Sequence, residues 1–322
     1  QGAARAAILW PEADWRDLGL DAAIFVGWPR LALARLTKTM DRPADMPAGI
    51  DPMARIDPSA EIGIGAAIGP FTHIGPDVRI GPRARIDAHV SIGAGTRIGA
   101  DVTLHPGVKI GPGVRIGDRF QAKPGAVIGG DGFSFASAAP STVDRARQSL
   151  SGDPGGADDP ADGPETAGKV WHRIHSLASV EIGDDVEIGA NSLVDRGTIK
   201  NTRIGSGSKL DGLVQIGHNA QVGRDCLICG NSGLAGSAEL GDRVVLGGSV
   251  SIADYVKVGE DAVVAGGSGV ASNVPPRRAV MGTPAMPMDR NVEAYKALRR
   301  LPRLVRKVAE LEEKLDRLID KA

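Results

Sequence analysis

An aliphatic side chain recurs at every sixth residue through most of this chain. From Ile50 a step of six lands on Ile56, Ile62, Ile68, Ile74, Ile80, Ile86, Ile92, Ile98, Leu104, Ile110 and Ile116. After Ala122 the phase returns at Ile128, is lost, and resumes at Ile182, Ile188 and Val194. A shorter spacing through Ile199 resets the register, and from Ile204 the count runs through Leu210, Ile216, Val222, Ile228, Leu234, Leu240, Leu246, Ile252, Val258 and Val264 to Val270. A period of six belongs neither to a helix of 3.6 residues per turn nor to an uninterrupted strand of alternating side chains. It suits a short strand followed by a corner. The glycine, aspartate or alanine that usually follows the aliphatic fits such a corner, because small residues turn there at little steric cost.

Three hexads make one triangular coil, and stacked coils pair their strands at about 4.8 Å. The repeat predicts about ten coils and a prism roughly 45 to 50 Å long on that spacing, filled by the repeat aliphatics and a small residue two before each. Composition agrees: aromatic residues are 3% of the chain against 44 glycines, which excludes a core of Phe, Tyr and Trp. The pattern resembles the hexapeptide-repeat β-helix. The expected fold is therefore mainly β, a left-handed parallel β-helix, the hand being implied by the resemblance alone. Many proteins of that kind are trimeric acyltransferases, but a fold does not by itself specify chemistry.

The repeat sets the domain expectations. Residues 1–45 have another texture, and "DAAIFVGWPRLALARLTKTM" reads as a buried strand, a proline turn and an amphipathic helix. They are expected to form a partial α/β domain of nucleotide-binding type. Residues 46–285 hold the β-helix, with an inserted loop at 134–170 rich in Pro, Gly, Asp, Ser and Ala. Residues 286–322 form a helical tail, which Pro302 is expected to divide into two helices. Beyond Pro302, the residues Leu304, Val308, Leu311, Leu315 and Leu318 repeat at spacings of four and three, which reads as a short self-association seam, with a helix packed on its own prism as the alternative. The first half of the tail is basic, with Arg290, Lys296, Arg299, Arg300, Arg303, Arg306 and Lys307 against Glu293, and points to an acidic partner.

A net charge of −1 gives no reason to expect nucleic acid as partner of the whole molecule. No apolar run is long enough to span a bilayer. The two cysteines, Cys226 and Cys229, make no disulfide framework, which fits a reducing, cytoplasmic compartment. They fit CxxC, yet no second pair supports zinc or redox chemistry, so they read as wall and corner residues. His73, His89 and His105 drift against the coil and read as corner residues, while His172 and His175 read as an exposed pair near the loop.

His218 stands apart. Ile216 is an inward position, so Gly217, His218 and Asn219 should form a corner with His218 facing outward. A surface histidine is ordinarily inert, but one coil further on lies Gly236, whose bare backbone N–H would face a bound carbonyl oxygen. A histidine base beside a backbone donor is the minimum for acyl transfer. Asp211, at the preceding corner, is the expected orienting group.

The segments "VEIGANSLVDRGTIKNTRIGSGSKLDGLVQIGHNAQVG", "GLAGS", "GDGFSFA" at 130–136 and "GTPAMPMDRN" are similar to the UDP-3-O-(3-hydroxyacyl)glucosamine N-acyltransferase family of lipid A biosynthesis. The resemblance covers nearly the whole chain. It implies a homotrimer with no resident cofactor and no metal, in which acyl carrier protein presents a 3-hydroxyacyl group as its phosphopantetheine thioester. It also implies attack on that thioester by the glucosamine 2-amine of the UDP-acylglucosamine substrate. His218 matches the general base and Gly236 the oxyanion donor. Asp211, Gln215 and Asn219 share the motif as substrate-binding or orienting residues, and Arg290, Arg299, Arg300 and Arg303 would meet the acidic carrier protein.

Two positions depart from the family. Tyr255 stands where it has a second active-site histidine, and at neutral pH a tyrosine can donate a hydrogen bond but cannot be a cation. The upstream segment with the family's uracil-stacking aromatics has no counterpart among these residues, which leaves uridine binding open. Gly267, Gly269 and Ala271 leave an acyl groove open to a long chain. The alternatives are another hexapeptide-repeat sugar acyltransferase, including the ester-forming relative in the same pathway, a three-histidine zinc carbonic anhydrase, and a non-catalytic β-helix scaffold.

Overall fold

The computed structural model describes residues 4–41, 46–137, 170–282 and 286–319. The chain divides into two compact units, Gln1–Pro47 and Ala48–Ala322.

In the first unit β1 (Ala6–Leu9) and β2 (Ala22–Phe25) pair in parallel, followed by α1 (Pro29–Met40) with proline in its first turn. A parallel pair is stable when both faces are covered, and here the cover is incomplete. Leu9 is buried, but Ile24 and Phe25 are exposed and α1 buries no side chain. The "DAAIFV" strand expected to be buried is therefore an exposed one.

The second unit is a parallel β-solenoid whose strands stack into three sheets of ten, nine and eleven. Along one sheet the repeat positions stand in register as Ile56, Ile74, Ile92, Ile110, Ile128, Val194, Ile216, Leu234, Ile252 and Val270. Most of these side chains are fully enclosed, and each contributes about 1.5–3 kcal/mol of burial free energy. The inward residue two before each aliphatic is usually Val, Ala, Ser or Thr. The coil holding Ala122 inverts the rule: Phe120 is the largest fully buried side chain and fills the space that a small residue at 122 leaves.

Corners owe their shape to two different positions. The first corner residue is often glycine because a Cβ there would strike the next coil; at Gly81 it would lie 2.5 Å from the Gly99 carbonyl carbon. The left-handed backbone comes two residues later, at Asn191, Asn219, Asp225 and Asn231 among many others. The expectation that glycine serves the turn itself is thus corrected: close approach of the coils selects it.

The solenoid continues across the insertion. Ile116 pairs with Ile182, Ala122 with Ile188 and Ile128 with Val194, so the chain leaves one coil and re-enters directly above it. At the base of the excursion Phe135–Ala136 pairs antiparallel with His172–Arg173. Most of the loop expected at 134–170 lies outside the described residues. Ile199 does not belong to the inward row; it is 90% exposed, on a widened corner that places twenty-two residues between Val194 and Ile216.

The tail is one helix, α2 (Met288–Ile319), with Pro302 inside it, rather than two. Proline loses one hydrogen bond and crowds the carbonyl of Leu298, at about 3 kcal/mol. The Ala, Leu, Arg, Lys and Glu around it favour helix strongly enough to carry it through. Leu304, Val308, Leu311 and Leu315 are all exposed on it. No helix of the described residues is long and apolar enough to cross a membrane.

Phe120→Ala is expected to lower stability by about 3–5 kcal/mol, read as a shift of the chemical denaturation midpoint. Adding Ala122→Leu should recover part of that loss, since the pair then restores the volume pattern of the other coils.

Candidate active site

A cleft of about 930 Å³ opens on one corner of the solenoid, lined by His218, Gly236, Gln215, Tyr255, Asp195 and Asp254 with an aromatic wall of Phe133, Phe135 and Trp171. His218 sits at the expected corner. It is half-buried rather than fully outward, because Gly132 from the base of the insertion lies against it. A Cβ at Gly132 would come 2.6 Å from the His218 Cβ, and the Gly132 N–H is held by the Ser176 hydroxyl at 3.1 Å.

The histidine is oriented by its neighbour. His218 Nδ1 lies 2.8 Å from Asn219 Oδ1. The orientation of that amide is settled by the backbone: Asn219 Nδ2 donates to the Lys200 carbonyl at 3.0 Å, and Oδ1 accepts from the Thr198 N–H at 3.2 Å and the Thr198 hydroxyl at 2.9 Å. An oxygen facing Nδ1 requires Nδ1 to carry a proton, which in the neutral ring leaves Nε2 with the lone pair. Thr198 and Lys200 belong to the widened corner. Two residues of the corner that breaks the repeat are therefore the ones that hold the Asn219 amide.

Gly236 is one coil above, as expected. A Cβ there would fall 2.7 Å from both Cε1 and Nε2 of His218, so no other residue leaves room for the ring in this position. At equivalent corners the backbone N–H is taken by a carboxylate: Ala100 by Asp118, Arg224 by Asp242 and Gly230 by Asp211. Among the described residues the Gly236 N–H donates no hydrogen bond. A donor of this kind, beside a basic nitrogen, suits an oxygen that gains negative charge.

Gln215 and Tyr255 also line the cleft. Tyr255 is exposed, with left-handed backbone, and its N–H reaches the Gly236 carbonyl at 3.3 Å. Asp211 is not brought here. Its Oδ1 accepts from the Gly212 N–H at 2.7 Å and its Oδ2 from the Gly230 N–H at 3.0 Å, tying coils together at another corner. Within this chain Asn219 takes the orienting place expected of Asp211. Arg290, Arg299, Arg300 and Arg303 are exposed on α2.

Asp195 is a cleft residue that the sequence reading missed. It is one coil below Gly217, and its Oδ2 accepts the Gln215 amide N–H at 3.0 Å. Burial pushes its carboxyl up to about 6, against the lowering pull of His218 and Gln215, with Asp131 adding to the rise. The signal was present in "VDRG", but the widened corner defeats a count of eighteen residues back from His218.

The remaining histidines stay outside the cleft. His89 stacks on Phe71 at 5.0 Å, and His105 is at a corner, where burial and then Lys123 lower its pKa. His73 is a strand residue rather than a corner one. Cys226 is buried in the wall as expected, which raises its thiol pKa, and both thiols are free. Among the described residues no cluster of His, Cys, Asp or Glu is arranged to hold a metal ion.

A stacked parallel solenoid with a six-residue repeat is the architecture of the hexapeptide-repeat transferases, and two family models of that kind match the chain. The bacterial transferase hexapeptide (six repeats) family matches residues 59–94 and 89–130, and the hexapeptide repeat of succinyl-transferase matches 179–212 and 219–254. UDP-3-O-acylglucosamine N-acyltransferase of Ruegeria pomeroyi is 60% identical over 312 residues, 97% of this chain and 83% of the relative. The protein of that name from Paracoccus denitrificans is 61% identical over 315 residues, 98% and 84% of the two chains. A solved Arabidopsis UDP-N-acetylglucosamine acyltransferase aligns with a TM-score of 0.58 at 22% identity, over 73% of this chain and 71% of that one, a likeness of fold. The chain belongs to the UDP-3-O-acylglucosamine N-acyltransferase family and is an N-acyltransferase.

Gly236→Ala is expected to leave stability nearly unchanged, because the imidazole can swing aside, while acyl transfer falls by at least about 10²-fold. Asp195→Asn tests the buried carboxyl. The folded chain holds more protons there than the unfolded chain between pH 3.8 and about 6, so the stability contributed at this site falls as pH rises through that window. The variant should therefore melt higher than the parent at pH 8, and the difference should vanish near pH 3.5.

Proposed function

We propose that this chain transfers a 3-hydroxyacyl group from acyl carrier protein to the 2-amine of UDP-3-O-(3-hydroxyacyl)glucosamine in lipid A biosynthesis, with His218 as general base. The observation that carries the reading is the locked Nδ1–H tautomer, which presents the basic Nε2 next to the unused Gly236 N–H. In this reading the amine attacks the thioester carbonyl, Nε2 takes a proton from the attacking nitrogen, and the Gly236 N–H holds the oxyanion. Collapse expels the phosphopantetheine thiolate, which takes the proton back from Nε2. Asn219 keeps its hydrogen bond to Nδ1 throughout and so holds the ring on line.

The substrate and partner assignments follow from the family and the surface. The relatives' names supply the UDP-acylglucosamine. The exposed basic face of α2, with Arg290, Arg299, Arg300 and Arg303, fits an acidic carrier protein. Tyr255 offers a phenol hydroxyl in the cleft in place of an imidazole. Outward positions beyond Gln215 on the same sheet are Gly233, Ser251 and Gly269, and a Cβ at either glycine would meet nothing within 4 Å. They give a long acyl chain a shallow path. The homotrimer, with the exposed apolar row of α2 as one contact, and the cytoplasmic location are parts of the same reading. A non-catalytic scaffold would have no use for a histidine held by a backbone-anchored amide beneath two glycines.

The test is transfer from a 3-hydroxyacyl carrier protein to UDP-3-O-acylglucosamine. Conversion by the parent and a loss of about 10³-fold or more in His218→Ala, with the fold intact, support the reading. Equal rates in the two would exclude His218 as the base, and no conversion by the parent would exclude the reaction.

A further inference from the structure

An N-acyltransferase faces a protonation problem that an O-acyltransferase does not. An aliphatic amine of the α-amino kind has a pKa of about 8 and is mostly ammonium at neutral pH. An ammonium has no lone pair with which to attack. Between ammonium and amide the nitrogen loses two protons, and the single lone pair of His218 Nε2 can hold only one of them. Either solvent takes the other before binding, which leaves only the minor free-amine fraction to react, or a second acceptor in the cleft takes it.

The charged groups around His218 point to one. Asp195 and Asp254 line the cleft with it, and Asp131 adjoins Gly132. No Lys or Arg is among the described cleft-lining residues. Of the nearby basic groups, Arg173 lies over the Phe135 ring at 4.7 Å and Arg196 Nε is engaged by the Ala178 carbonyl at 2.7 Å. Asp195 is the carboxylate built into the floor. It is one coil below Gly217, is more than half buried, and has one oxygen fixed by Gln215 at 3.0 Å. Burying a carboxylate costs stability unless it is paired, and a cationic substrate nitrogen would be the partner that no described cleft-lining Lys or Arg supplies.

We propose, building on the reading above, that Asp195 binds the acceptor's ammonium and takes its first proton, which makes it the residue that fits this cleft to an amine. The ammonium gives one proton to the Asp195 carboxylate and becomes a free amine. Its lone pair forms the N–C bond to the thioester carbonyl, whose π electrons move to the oxygen at the Gly236 N–H. His218 Nε2 takes the second proton from nitrogen. The C–S bond then breaks, sulfur leaves with the electron pair and takes that proton from His218, and Asp195 releases its own proton to solvent. The ammonium and the thioester become amide, thiol and one free proton. The raised pKa of Asp195 suits this proton transfer, because a carboxyl at about 6 is a far better match to an ammonium than one at 3.8.

The experiment is kcat/KM for the amine acceptor from pH 6 to pH 9.5, comparing the parent with Asp195→Asn, with thermal midpoints taken alongside. The expected deficit of the variant is about 10²-fold at pH 6.5, shrinking to less than about 10-fold above pH 9, where the acceptor arrives as free amine without help. KM for the acceptor should rise at low pH in the variant alone. A deficit independent of pH, or no deficit in a folded variant, would overturn the proposal and leave the His218 reading standing. A parent that acylates no amine at any pH would bring down both.

Discussion

The solenoid and the cleft on it depend on aliphatic side chains meeting their counterparts one coil away. Each coil is too small to bury its own apolar face, so the inward Ile, Leu and Val are worth their burial energy only when the next coil caps them. That need fixes the register: a slip of one residue would turn the whole inward row to solvent. It also explains why a 66-residue separation between Ile128 and Val194 costs the core nothing. Loop closure grows only slowly with length, whereas a mismatched coil would forfeit several buried side chains. The exchange of sizes between Phe120 and Ala122 shows that the constraint acts on filled volume rather than on residue type.

The cleft is built where this regularity is relaxed. Two departures from the six-residue period meet at His218. The excursion after Gly130 brings Gly132 and the aromatic wall over the imidazole, and the widened corner after Asp195 brings Thr198 and Lys200 to the Asn219 amide. A rigid stack supplies the platform, and the irregular residues supply the orientation. Asp195 shows the cost of this arrangement, since a half-buried carboxyl that opposes folding at neutral pH is retained in the cleft that His218 lines.

How much of this was legible in the sequence follows from the same division. The solenoid, its inward rows and the placing of Gly236 above His218 were readable because they obey a count. The family likeness was readable from the motifs around His218, and the relatives bear it out. Where the count breaks, the reading failed. Asp195 was overlooked because twenty-two residues rather than eighteen separate its coil from the next. Asp211 was taken for the orienting group because chain order brings it close, while the hydrogen bonds put Asn219 there. Ile199 was counted into the repeat although it faces solvent, and Pro302 was given more power to end a helix than its neighbours allow. Each miss concerns a contact set by neighbouring coils or by a strong local propensity, which a linear count does not carry.

The proposed chemistry rests on one hydrogen-bonded chain, which runs from residues 198–200 through Asn219 to His218 Nδ1. The most direct measurement is the pair of imidazole nitrogen chemical shifts of His218 in the neutral form, assigned against His218→Ala in protein labelled with ¹⁵N at histidine. The expected result is a protonated Nδ1 and an unprotonated Nε2, with the two forms becoming mixed in Asn219→Ala. A proton on Nε2 in the unmodified protein would leave no lone pair facing Gly236 and would contradict this role for Asn219.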